Sequence, residues 1–309
     1  MDTTNVSVSM PIYFKVQRYL LSMKNVKERL VLPMKINYLG TGAAERIPGI
    51  FCNCKLCKYA REKKGREIRT QTQLIIDDVL LIDFPGDSYL HLLQYDLCFA
   101  DFDSLLISHW HSDHFYGEDL AYRMSGYALD IPNRLTVYGN EAVKTFYQRA
   151  FDLEGRQDDT RLQYQVIQPY KCFTIANYTI YPLPAQHGNF SEDCFIFVID
   201  DGKDAFLSTH DTGYFTSEMF EYLEKSHLLL SIVSLDCTSQ TNETGNSHMN
   251  WEENLKLIAE LKERKLVTDK TIYVANHFSH NGGLSYAEMA ALSQKHEIIT
   301  SYDGLEILT

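Results

Sequence analysis

The sequence predicts an α/β fold of four layers, an αββα sandwich of two mixed β-sheets packed face to face with helices outside. Three observations carry that reading. Up to about residue 210 short apolar strands are joined by tight turns in the manner of hairpins. Beyond it, strands alternate with amphipathic helices, whose apolar stripes must cover a sheet. At 309 residues, with 45% hydrophobic and 23% charged residues, the chain has an ordinary globular balance and enough length to bury a sizeable core unaided.

The elements follow in order. Residues 1–33 read as a separate N-terminal extension: after a polar start and Pro11, the segment Tyr13–Leu30 is amphipathic and predicts a helix that docks on the domain or on a partner subunit. The domain proper spans 34–309. From Met34 the run Lys-Ile-Asn-Tyr-Leu alternates as a half-buried strand and stops at Gly40-Thr41-Gly42. About thirty residues rich in Lys and Arg read as an irregular excursion carrying Cys52, Cys54 and Cys57. A hairpin is expected from Thr72–Ile76 and Val79–Ile82 around Asp77-Asp78, and Asp83 ends its second strand. Ser88–Tyr95 predicts a helix, Ser104–Ile107 a strand and residues 114–130 a further helix.

Leu135–Tyr138 is the next strand, Asn140–Phe151 a helix capped by Asn140, and Gln163–Ile167 another strand. Strands are expected at Lys171–Ile175, Tyr178–Leu183, Cys194–Ile199 and Asp204–Ser208. The alternating part comprises helix Ser217–Glu224, strand His227–Leu235, helix Met249–Lys265, strand Thr271–Ala275 and helix Ser285–Lys295. No linker, internal repeat or low-complexity tract interrupts the domain.

The densest chemistry follows the strand Leu105–Ile107, where His109, His111, Asp113 and His114 form an H-x-H-x-D-H cluster. Imidazole and carboxylate together suit zinc, iron or manganese. His109 and His111 are two apart and project to one side of an extended loop, while the adjacent Asp113 and His114 diverge. Divergence suits two ions, about 3.5–4 Å apart as in two-metal hydrolases. Each ion needs further ligands, and His187, Asp211 and His277 follow apolar strand-like runs. His210, beside Asp211, fits no ligand position. Cys52, Cys54 and Cys57 offer three thiols in one short loop, and a tetrahedral zinc would need a fourth ligand, for which His280 is the candidate. Free or redox-active thiols are the alternative.

This ordering resembles the metallo-β-lactamase superfamily: an early Asp after a strand, H-x-H-x-D-H, a lone His, a lone Asp and a final His, matched from Met34 onward. The resemblance implies that His109, His111 and His187 bind one ion, Asp113, His114 and His277 the other, and that Asp211 bridges two Zn²⁺ or Mn²⁺ ions. It places Asp83 behind the ligands, orienting one of them. A carboxylate between two cations reduces their repulsion, and a water there loses its proton near neutral pH to become the nucleophile.

The cysteine loop with His280, together with Gly40-Thr41-Gly42-Ala43-Ala44, Ser234-Leu235-Asp236-Cys237, His277-Phe278-Ser279-His280 and Asp303-Gly304-Leu305-Glu306, resembles the PhnP-type phosphodiesterases of the carbon–phosphorus lyase pathway. That likeness implies one structural Zn²⁺, a small cyclic ribose-phosphate or nucleotide-like phosphodiester as substrate, and His248 as the general acid for the leaving group. The stretch between Cys237 and His248 departs from the family example, as does the extension 1–33. Rival readings keep the fold but change the substrate to RNA, a lactone or a thioester, or make the protein a non-catalytic carrier like PqqB.

Composition narrows the partners. A formal net charge of −12 argues against broad binding to nucleic acid or anionic membranes. No run approaches the roughly 20 apolar residues that span a bilayer. Lys15, Arg18, Lys24, Lys27 and Arg29 interrupt the apolar runs of the first 30 residues, so no signal peptide is expected and the protein reads as cytoplasmic. A small phosphorylated substrate and a possible homodimer are the expected partners.

Overall fold

Period-two alternation sorts the side chains of two sheets into three apolar layers in this computed structural model, which describes residues 33–188 and 194–309. The helix expected over 13–30 lies outside the described residues. The first sheet contains β1 (Lys35–Gly40), β2 (Gln73–Ile76), β3 (Leu80–Ile82), β4 (Ser104–Leu106), β5 (Leu135–Gly139), β6 (Leu162–Val166) and β14 (Leu305–Leu308). Its order is β14-β1-β2-β3-β4-β5-β6, antiparallel as far as β3 and parallel from β3 to β6.

The second sheet contains β7 (Phe173–Ile175), β8 (Tyr178–Pro184), β9 (Phe195–Asp200), β10 (Ala205–Ser208), β11 (Leu230–Asp236), β12 (Val267–Asn276) and β13 (Ile298–Thr300). Its order is β13-β12-β11-β10-β9-β8-β7, antiparallel from β7 to β10 and parallel from β10 to β13.

Among the described residues the α-helices are α1 (Lys55–Lys63), α2 (Ser88–Gln94), α3 (Glu141–Glu154), α4 (Ser217–Lys225), α5 (Trp251–Glu263) and α6 (Tyr286–Ser293). Between the sheets Ile36, Tyr38, Leu74 and Ile76 meet Ile180, Phe197, Phe206 and Val274. Ile75, one residue out of phase, points the other way and joins Val137 and the α3 residues Val143 and Tyr147. On the far side Val198, Leu207 and Val233 pack with Met219 and Leu223 of α4 and Leu257 and Leu261 of α5. Each such side chain contributes roughly 1.5–3 kcal/mol by leaving water, which is why the alternation dictates the layering. The αββα sandwich expected from the sequence is the architecture found.

Two local expectations fail. Residues 114–130 form only a 3₁₀ segment at Gly117–Arg123, with no side chain capping its start, and Gly126 takes a left-handed φ of 97° that ends helical continuation. The excursion after β1 is not wholly irregular, since α1 lies in it. Its N-cap is the Cys54 side chain, which accepts from the Cys57 N–H, and only Leu56, Cys57 and Ala60 are buried, so neither a Ser/Asp cap nor a wide apolar stripe announces it. β13 and β14, three and four residues long, are too short for their alternation to announce them in the sequence. Among the described residues no helix is long and apolar enough to cross a membrane.

The mixed topology brings the carboxyl ends of β3, β4, β8, β10, β11 and β12 to one rim of the sandwich. Asp83, the 108–114 loop, His187, Asp211, Asp236 and His277 all stand at or just beyond those ends.

Candidate metal centre

His109 Nε2, His111 Nδ1 and His187 Nε2 converge, with His111 Nδ1 lying 2.9 Å from the first and 3.0 Å from the last. Asp211 Oδ2 faces the same group at 3.8 Å from His109 Nε2 and 3.6 Å from His187 Nε2. On its other side Asp211 meets a second group: His114 Nε2 at 3.3 Å from Oδ2 and His277 Nε2 at 3.0 Å from Oδ1. Asp113 Oδ2 completes that group, 3.3 Å from His114 Nε2 and 3.8 Å from His277 Nε2. All seven residues proposed from the sequence therefore come together as two sets sharing one carboxylate.

The outer nitrogens explain why the inner ones are available. His114 Nδ1 donates to Asp83 Oδ2 at 2.7 Å, and Asp83 also accepts from Ser108 N and Ser108 Oγ at 2.8 and 2.9 Å. His109 Nδ1 donates to Ser108 Oγ at 3.0 Å, His187 Nδ1 to the Ser247 carbonyl at 2.9 Å, and His277 Nδ1 to Thr238 Oγ1 at 2.8 Å. Each contact fixes the tautomer that leaves the Nε2 lone pair facing the centre. His111 is the exception and presents Nδ1. Trp110 packs edge-on against the His111 ring at 4.5 Å and stacks on Phe146 at 5.0 Å, which holds that imidazole in place. Asp83 and His277 both adopt left-handed φ, 63° and 60°, a strained conformation that clusters at functional positions.

Electrostatics fit a cation. Burial holds His109 well below the ordinary imidazole range and lowers His111, so both stay neutral. Burial would raise Asp113 and Asp211, but His114 and His277 beside them keep both well below the usual carboxylate range. His114 Nε2, His277 Nε2 and Asp211 Oδ1 are buried and make no hydrogen bond among the described residues. Burial opposes charge on His114 and His277, but the neighbouring Asp211 and Asp113 raise both, His277 to about 10, so without an ion these rings carry the positive charge of the centre, and a divalent ion would replace their Nε2 protons and meet the same carboxylates.

His248 lies at the edge of this centre, its ring 4.7 Å from that of His187 and 5.8 Å from that of His277. Its Nδ1 donates to Asp236 Oδ2 at 3.0 Å, leaving Nε2 outward. Burial opposes the charge on His248, but Asp236 raises its affinity for a proton. Asp236 is fully buried and also accepts from Thr212 N, Thr238 N and Thr238 Oγ1. The sequence offered no local sign of this part for Asp236, since the cue is its place at the end of β11. Ser108 and Thr238 were missed for the same reason. His210 donates to no ligand group: it stacks on His277 and bonds Ser234 Oγ at 2.9 Å.

The cysteine loop also assembles. Cys52, Cys54 and Cys57 gather with His280, whose Nδ1 is 3.7 Å from Cys52 Sγ and 3.9 Å from Cys54 Sγ. The set of three thiols and one imidazole suits a tetrahedral zinc. A Cβ on Gly49 would stand 2.9 Å from the His280 ring and 3.0 Å from Cys52 Cβ, so glycine is needed for the loop to close around the site.

Comparison with known proteins is consistent with this geometry. The sequence profile of the β-lactamase superfamily domain matches residues 94–268. A curated relative from Porphyromonas gingivalis, named octanoyltransferase, is 27% identical over 286 residues, 89% of this chain but 51% of the relative, so the chain spans about half of that protein. Among solved structures, a diphosphatase from the PhnP family superposes with a TM-score of 0.67 at 19% identity over 89% of this chain and 97% of its own. Zn²⁺-bound PqqB from Methylobacterium extorquens gives 0.68 at 14% over 88% and 99%. The short form of human tRNase Z gives 0.59 at 15% over 88% and 98%. At these identities the structural likeness is one of fold.

Proposed function

This chain belongs to the metallo-β-lactamase superfamily, and from that premise we propose that it is a divalent-metal hydrolase of small phosphodiesters, of the cyclic ribose-phosphate or nucleotide-like kind. The observation that carries the reading is Asp211, one buried carboxylate facing two complete sets of ligand atoms. His109, His111 and His187 would hold one ion, Asp113, His114 and His277 the other, and Asp211 would lie between them. Bound zinc or manganese supplies Lewis-acid charge for developing oxyanions and acidifies water. The chain's own contribution is orientation and proton transfer. Asp83, Ser108, Thr238 and the Ser247 carbonyl lock the imidazole tautomers. Asp236 holds His248 so that its Nε2 proton faces the rim, where a departing alkoxide would take it. The cysteine set with His280 would hold one structural zinc, and the reducing cytoplasm suits its thiols.

The test couples metal counting with hydrolysis of bis(p-nitrophenyl) phosphate. His111→Ala or Asp113→Ala should abolish turnover with the fold retained, and unaltered turnover in either would sink the proposal. A second reading has one observation in its favour, the relative named octanoyltransferase, of which this chain spans half. It makes the substrate an acyl thioester. An octanoyl thioester, a lactone, a tRNA precursor and a cyclic ribose phosphate assayed side by side separate these readings. A non-catalytic carrier predicts no turnover of any of them.

A further inference from the structure

Ile50 and Phe51 are 70% and 98% exposed, the two neighbours at the tip of the turn that leads into the cysteine loop. The turn is held rigidly: Cys52 N donates to Gly49 O at 3.0 Å, Gly49 N to Cys57 Sγ at 3.2 Å, and Arg61 to Cys52 O and Asn53 Oδ1 at 3.0 and 2.6 Å. Directly behind it α1 and the following turn carry the exposed Lys55, Lys58, Arg61, Lys63, Lys64 and Arg66 against two acids, the exposed Glu62 and the half-buried Glu67. Residues 50–67 thus hold a net +4 in a chain of −12, which leaves −16 for the rest. Arg61 is committed to the loop and Arg66 to Tyr286 and Tyr302. Lys55, Lys58 and Lys64 have no ion-pair partner within 4 Å among the described residues.

We propose that the Ile50–Phe51 tip and the α1 lysines form a docking surface for an anionic lipid bilayer, with the two apolar side chains entering the interface and the lysines facing headgroup phosphates. Composition distinguishes this occupant from others. Lysine is depleted from protein–protein interfaces, which favour Arg, Tyr and Trp, whereas lysines flanking an exposed apolar pair suit a phosphate-bearing surface. A single aromatic ring beside an isoleucine makes a poor stacking platform for nucleic acid. The acidic remainder does not forbid the contact, because charges beyond a Debye length of about 8–10 Å are screened. The pinned turn presents its tip without a large ordering cost. His280 of the same cluster lies three residues from His277, so docking would bring the metal rim close to the bilayer. The inference does not depend on which substrate is cleaved.

The experiment is co-sedimentation of the full chain with phosphatidylcholine vesicles and with vesicles enriched in phosphatidylglycerol, at low and high salt. Binding should be about tenfold stronger or more to the anionic vesicles and should weaken with salt. Ile50→Ser with Phe51→Ser should lower it on the order of a hundredfold, and Lys55→Glu with Lys58→Glu should remove the preference for anionic lipid. The charge-matched control Lys270→Glu with Lys295→Glu should bind as the parent does. Four results overturn the proposal: no binding to either vesicle, equal loss in the control, indifference to the Ile50 and Phe51 substitutions, or equally tight, tip-independent binding to polyglutamate or single-stranded RNA. A thermal unfolding curve on each variant separates lost contact from lost fold.

Discussion

Asp83→Asn is a one-atom change whose consequence can be worked from the geometry. The carboxylate accepts three hydrogen bonds, one from Ser108 N on Oδ1 and two, from Ser108 Oγ and His114 Nδ1, on Oδ2. Asparagine tolerates the φ of 63° at this position, so the backbone need not move. If the amide oxygen keeps Ser108 N, the new NH₂ faces His114 Nδ1 at a site 2.7 Å away, and two donors cannot share it. His114 must then carry its proton on Nε2, the atom 3.3 Å from both Asp113 and Asp211, and its lone pair leaves the centre. The reverse amide orientation sets NH₂ against the Ser108 N–H and costs about 1–3 kcal/mol. The first orientation, which pairs every group once the proton has moved, is the cheaper, and in it metal affinity at the Asp113–His114–His277 set should fall about 10- to 100-fold. Competition against a fluorescent zinc chelator measures this directly, with Asp83→Ala as the harsher case. Unchanged affinity and turnover in Asp83→Asn would refute the argument that Asp83 sets the His114 tautomer.

Two further outcomes are expected. A Cβ at Gly213 would fall 1.9 Å from the Asn246 carbonyl, so Gly213→Ala must displace the loop that brings Ser247 O to His187 and carries His248. Hydrolysis of esters with poor leaving groups should drop about 100-fold, and that of p-nitrophenyl esters less, because the latter lose the support of His187 but need no acid; unchanged turnover of both would contradict the placement of this loop beside the centre. His91 is buried, bonded at Nδ1 to Gln73 and at Nε2 to Thr70, and burial lowers it to about 4. A depressed histidine favours the neutral fold, so its contribution is intact above pH 6.5 and is lost as pH falls toward 4, at about 1.4 kcal/mol per pH unit. Urea titrations of chelator-treated protein should show His91→Gln losing stability less steeply than the parent between those values, and parallel curves would rule this out.

The sequence by itself determined the layers and the central ligands. Alternation over Lys35–Tyr38 fixes which face of that strand is turned to the core between the sheets, because successive side chains must point oppositely. The H-x-H-x-D-H cluster is legible because its residues are neighbours and their divergence is a local property of an extended chain. His187, Asp211 and His277 were recognisable only as residues after apolar runs, together with the resemblance. What brings His187 Nε2 within 3.0 Å of His111 Nδ1, across 76 residues, is strand order. Tertiary structure alone decided that His111 offers Nδ1 while the other imidazoles offer Nε2, since that depends on Asp83, Ser108, Ser247 and Thr238 arriving from separate strand ends. It alone made Asp236 the partner of His248 and set α1 where a cysteine rather than a serine caps the helix. Propensity and spacing act over a few residues, whereas tautomers, orphaned atoms and rigidly exposed tips are set by groups that only the folded sheets bring into contact.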